Sequence, residues 1–127
     1  MTAALLAGSV LGCLATVGAQ AACLKANADG QVAEGRLVTG RFKDAAGRRE
    51  DAYILELSAP ACLDGADEDD KVNATKRIHV YPHDARLGAT MRRLVGKAVR
   101  VKGSPFGQHT AHHHAPIVME IAEIAPR

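Results

Sequence analysis

The segment Leu94-Val-Gly-Lys-Ala-Val-Arg-Val-Lys-Gly103 decides the fold. Its first residues close a helix. Leu87, Met91, Leu94 and Val95 recur at helical spacing over 85–95, and Gly96 is the usual residue just past a helix end. Pro82 breaks the chain before that helix, and Asp84 or Thr90 can cap it. From Lys97 the period drops to two. Val99 and Val101 fall on one side and Arg100 and Lys102 on the other, which predicts a half-buried strand over 97–103. A helix end feeding a strand in this way fits a small barrel with one end plugged by a helix.

Reading outward, Ile117, Met119 and Ile121 alternate with Val118, Glu120 and Ala122, a last strand. Toward the N-terminus, 31–42 reads as a long first strand in which Gly35 and Gly40 are bend points. Asp44 to Asp51 is a turn. Tyr53, Leu55 and Leu57 alternate with Ile54, Glu56 and Ser58 in a second strand that Pro60 ends. The polar stretch 61–76 then reads as a long surface loop pinned near its start by Cys62. Arg77 to Tyr81 is a third strand with Ile78 and Val80 inward. The order β-β-β-α-β-β predicts an all-β chain with one short helix, an OB-like five-stranded barrel.

Three stretches together resemble one family of small exported bacterial proteins. They are Tyr53-Ile-Leu-Glu-Leu-Ser-Ala-Pro-Ala-Cys62, the Leu-x-Gly-Lys-x-Val-x-Val-x-Gly run at 94–103, and Phe106 through Thr110 with His112, His113, Pro116 and Ile117. The family is the domain of unknown function numbered forty-four thirty-one, and the resemblance covers roughly 31–124. It implies an envelope location and a compact β-barrel, and it carries no catalytic residues with it.

Residues 1–22 contain no charged side chain and end in Ala19-Gln20-Ala21, the small-x-small pattern of a signal peptidase site. The expected division is a signal peptide over 1–21 and a single domain over 22–127, periplasmic or secreted, with no stable membrane insertion after leader removal. The missing basic n-region places the expected start codon upstream of Met1. A retained anchor and a lipoprotein box at Val10-Leu11-Gly12-Cys13 are the competing readings, the first disfavoured by an Ala/Gly-rich composition and the second by Leu11. Leader removal takes away Cys13 and leaves Cys23 and Cys62, which most simply form one disulfide. The net charge of +2 predicts no steering toward nucleic acid or membrane by itself, although the second half is basic and Asp64 to Asp70 acidic.

The candidate site is the run Gly107-Gln-His-Thr-Ala-His-His-His-Ala-Pro116, with His109, His112, His113 and His114 within six residues. Neighbouring neutral imidazoles can ligate zinc, copper or nickel, so these four are the candidate metal ligands of a metal-binding envelope protein. No His-Glu-x-x-His and no zinc-spaced Cys/His set supports them. The same run reads as a polar loop whose histidines hydrogen-bond to backbone at the barrel rim. His79 and His83 flank the end of the third strand as surface residues. Arg100, Lys102 and His79 are the candidate ligand-binding residues of that rim, for an envelope protein or glycan partner. Phe42, Tyr53, Tyr81 and Phe106 are the only aromatics, and several belong to the core, which argues against base stacking on nucleic acid. Counting from Asp64 or Asp67 puts no glycine at the sixth and no glutamate at the twelfth position of a calcium loop. No nucleophile elbow and no phosphate-binding glycine loop is present, so the reading is a non-enzymatic binding module.

Overall fold

The computed structural model describes residues 22–127 together with residues 3, 4, 8, 9 and 12. Five long strands and one helix follow in the expected order: β2 (Gln31–Lys43), β3 (Arg49–Asp64), β4 (Val72–Pro82), α1 (Ala85–Leu94), β5 (Ala98–Gly107) and β6 (Ile117–Pro126), with a two-residue β1 (Leu24–Lys25) before them. The sheet order is β1-β3-β2-β5-β6-β4, and β3 also pairs with β4, which closes a five-stranded barrel. All the barrel ladders are antiparallel except β4 with β6. The expected leader over 1–21, Cys13 included, lies outside the described residues apart from the five isolated positions named above.

Gly35 is the corner on which β2 turns. It pairs with Leu57 of β3 on one side and with Val99 of β5 on the other. A Cβ there would overlap the Glu56 carbonyl, so the strand can bend this tightly only with glycine. The inward residues Leu37, Leu55, Ile78, Val80, Val99, Val101, Ile117, Met119 and Ile121 are fully buried, and α1 adds Met91 and Leu94 at one end of the barrel. Asp84, not Thr90, caps the helix by accepting from the Leu87 N–H at 2.8 Å. Gly96 takes φ 86° just past the helix, a left-handed conformation that favours glycine, and its N–H donates to the Leu37 carbonyl.

Two expectations are corrected, and one strand is new. Pro60 does not end the second strand, which runs on to Asp64. Pairing with β2 stops at Leu57 and the β4 ladder shifts register between Glu56 and Ala61, so Pro60 sits where no ladder N–H is required. The stretch 61–76 is therefore mostly strand, because Ala61 pairs with Thr75 and Leu63 with Val72; only 65–71 is left as a loop, with a 3-10 turn at Glu68–Asp70. Its polarity misled because Asn73, Ala74 and Lys76 line a solvated edge of the hairpin. Strand β1 was not foreseen. It is held parallel to β3, Leu24 opposite Leu63, beside the expected Cys23–Cys62 disulfide, whose Cα atoms are 4.6 Å apart.

Candidate functional site

The histidine loop, 108–116, does not stand off the rim. It folds back as a strap over the outer face of the barrel. Ladder register aligns Val38, Ile54, His79, Val118 and Phe106 in one outward-facing row across five strands. Ile54 and Val118 are buried although they point away from the core. The His114 ring lies above this row, stacked on His79 at 5.5 Å and on Phe42 at 4.2 Å with the ring planes 6° apart.

Glu50 fastens the strap. One carboxylate oxygen lies 2.7 Å from His112 Nδ1 and the other 2.9 Å from His114 Nε2. Because Glu50 stands at the start of β3, directly opposite Phe42, this contact ties the β5–β6 loop to the β2–β3 hairpin. The loop's backbone is held by imidazoles acting as acceptors. His79 Nδ1 takes the His114 N–H at 3.1 Å, and His113 Nδ1 takes the N–H groups of His109 at 3.2 Å and Thr110 at 3.3 Å. Gln108 donates to the His113 carbonyl at 2.7 Å. An imidazole nitrogen that accepts carries no proton, so His79 and His113 belong to the strap in their neutral form.

The surroundings favour that form. Burial, reinforced by His114 and His113 and opposed by Glu50, pushes the His79 imidazole down to about 4. Burial and the facing His109, His112 and His114 push His113 down as well. Hydrogen bonds from His114 and His112 hold the Glu50 carboxyl below its ordinary value. A second group lies on the same outer face, where the Glu120 carboxylate meets His83 Nδ1 at 2.6 Å and accepts from the Tyr81 hydroxyl at 3.2 Å. That pairing raises His83 and lowers Glu120.

These positions redraw the expected site. His79 is half-buried beneath the strap rather than a surface residue, whereas His83 is exposed as expected. His109, His112, His113 and His114 do not converge on one point: His109 lies edge-on to His113 at 4.6 Å, His114 stacks on Phe42 and His79, and His112 joins His114 through Glu50. Their nitrogens are turned to Glu50 or to backbone groups. Among the described residues no three or more His, Cys, Asp or Glu side chains are grouped to hold a metal ion, so the expected zinc, copper or nickel ligand set is not assembled. Arg100 and Lys102 do not join His79. They face Glu34 at 3.9 Å and Glu123 at 3.6 Å. Glu50 and Phe42 were missed, since nothing in the local sequence pairs them with a loop some sixty residues later.

The acceptor roles make the strap sensitive to acid. Unfolded His79 titrates near 6.5, and the folded residue stays neutral to about 4. Between those values the unfolded chain binds more protons, so this contribution is complete above about pH 6.5 and is lost as pH falls toward 4. His113 acts in the same direction, and His83 in the opposite one. Screening by solvent at the half-exposed ring reduces the His79 effect to about 1–2 kcal/mol. We expect the melting temperature to fall by roughly 5–10 °C between about pH 7.5 and 4.5. His79→Gln, which keeps an acceptor but cannot titrate, should remove the larger part of that fall; an unchanged pH profile would exclude His79 as its source.

Among the described residues no helix is long and apolar enough to cross a membrane. No curated relative matches the chain. The resemblance expected over 31–124 is matched over its C-terminal part. Residues 77–125, which carry His79, the whole strap and Glu120, match the family model described as Domain of unknown function (DUF4431).

Proposed function

We propose that the protein is an exported binding module of the bacterial envelope, non-enzymatic, whose recognition surface is the strapped outer face of the barrel. The observation that carries this reading is the double contact of Glu50 with His112 and His114. OB-type barrels bind ligands on the face of their second and third strands, between the first hairpin loop and the last loop. Here those strands are β3 and β4, and Glu50 locks the two loops together across them. The result is a preorganised surface, with His109 and His112 exposed at its edge and Phe42 and His114 stacked at its centre. Preorganisation lowers the ordering cost of binding a protein or glycan partner.

Export is supported by the leader pattern at 1–21 and by the Cys23–Cys62 disulfide, which fits an oxidising compartment. A periplasmic fraction should yield a chain beginning at Ala22 by intact-mass measurement; an unprocessed chain in the cytosol would refute export.

For the surface, the test is capture from an envelope extract by the immobilised protein and by His112→Ala/His114→Ala. Loss of both bonds to Glu50 frees the strap, and we expect partner binding to fall by roughly tenfold or more while the barrel, whose core is untouched, still melts cooperatively. A folded double variant that retains the same partner at the same strength would place the binding surface elsewhere.

A further inference from the structure

Helix α1 and the turn after it carry Arg86, Arg92, Arg93 and Lys97 and no acidic residue between Ala85 and Lys97. All four are exposed. Arg48, Lys71, Arg100, Lys102 and Arg127 each face a carboxylate within 4 Å; among the described residues none of these four does. Lys25, Arg41, Lys43, Arg49, Lys76 and Arg77 also lack such a partner, but only here do four free cations share one stretch without an acidic residue. Arg36 joins them from β2, its guanidinium donating to the Gly96 carbonyl at 2.5 Å. Amid this group stands Val95, at 37% the one exposed large hydrophobic among the described residues. The acidic neighbours are Glu56, opposite Arg36 in the ladder, and Asp84 at the far end of the helix.

We propose that the C-terminal end of α1, where Val95 lies within three residues of Arg92, Arg93 and Lys97 and Arg36 is held at the adjoining Gly96 carbonyl, docks the protein on an anionic lipid surface. The apolar side of the helix, Gly88, Met91 and Leu94, is spent on the barrel core, so the helix cannot lie in a bilayer as a free amphipathic helix does. The contact is peripheral: unpaired cations meet lipid phosphates while one apolar side chain enters between headgroups. An exposed valine adds nothing to a phosphate-only partner, which favours lipid over nucleic acid. The choice of lipid also rests on export, whereas nothing here depends on what the histidine strap binds.

Co-sedimentation of the protein purified from the periplasm, its N-terminus verified, tests this. Vesicles of phosphatidylcholine with about 30% phosphatidylglycerol are compared with phosphatidylcholine alone, at low and high salt. We expect binding to the anionic vesicles only, weakening with salt. Arg92→Gln/Arg93→Gln should lower the partition coefficient roughly thirtyfold, from about fivefold per cation, and Val95→Ser should lower it by about two- to fivefold. Arg48→Gln, on the β2–β3 turn, should change nothing. Equal binding to neutral vesicles, indifference to the double substitution, or binding to duplex DNA with vesicles untouched would each overturn the proposal. A cytosolic, unprocessed chain that still binds anionic vesicles through Arg92 and Arg93 would refute export and leave this surface standing.

Discussion

Replacing Cys23 and Cys62 with serine is expected to lower the stability of the barrel by about 4 kcal/mol. The disulfide joins residues 39 apart and encloses all of β2 and most of β3, so its loss frees a long loop in the unfolded chain. It also pins β1, whose two-residue ladder with β3 is too short to persist alone. What remains there is the Ala26 N–H to the Asp64 carbonyl at 2.8 Å, the Asn27 N–H to the Pro105 carbonyl at 2.7 Å, and the exposed bonds Lys25 N–H to Gln31 and Asn27 Nδ2 to Asp70. Leu24 packs against the core from this strand, and its departure uncovers the nearly fully buried Leu63. A small domain with about 5–15 kcal/mol of total stability would feel this severely. Melts with and without reductant should differ by roughly 15–30 °C. Curves that coincide would show that strand pairing alone holds this end of the barrel.

Gly103→Ala is expected to cost about 3 kcal/mol, far more than its single added methyl suggests. Gly103 sits at the register shift of the β5–β6 ladder, between Lys102 opposite Glu123 and its own pairing with Ile121. A Cβ there would overlap the Glu120 carbonyl and lie 2.8 Å from the Ile121 Cα, both backbone atoms that cannot swing aside. Relief requires β5 and β6 to part where Val101 and Ile121 are fully buried. The displaced Glu120 would also lose its bonds to His83 and Tyr81. Urea denaturation gives the number directly, and a loss below about 1 kcal/mol would mean that the bulge relaxes without strand separation.

The two substitutions act on features of different legibility. The cysteine pair was visible once a leader was read off the first residues, because two thiols in an exported domain leave one pairing. The strain at Gly103 was not. In the sequence that glycine merely ends an alternating run, and its closeness to Glu120 exists only once β6 has been laid beside β5 with a register shift.

The same division runs through the fold. Alternation placed Ile78, Val80, Val99, Val101, Ile117, Met119 and Ile121 inward, and all are buried. Helical spacing with Gly96 ended α1 within one residue of the expected point. Period and punctuation are local properties, which is why they survive in a bare sequence. Strand β3 runs on past Pro60 and β4 begins before Lys76 because a proline or a polar run breaks a strand only when the ladder needs that residue, and the need is set by a partner strand.

For the site, the sequence located the histidines and their loop by itself. The tertiary structure decided what they do. Closing the barrel brings Glu50 and Phe42 of the first hairpin against His112 and His114, and it slides His79 beneath them. Those contacts turn the nitrogens toward hydrogen-bond partners and the rings toward one another, so a run that reads as a ligand set becomes a packed strap. Arg100 and Lys102 share the basic half of the sequence with it, yet their neighbours in the barrel are Glu34 and Glu123 rather than the strap. Composition and spacing determine which side chains are available; the register of a closed sheet determines which of them meet.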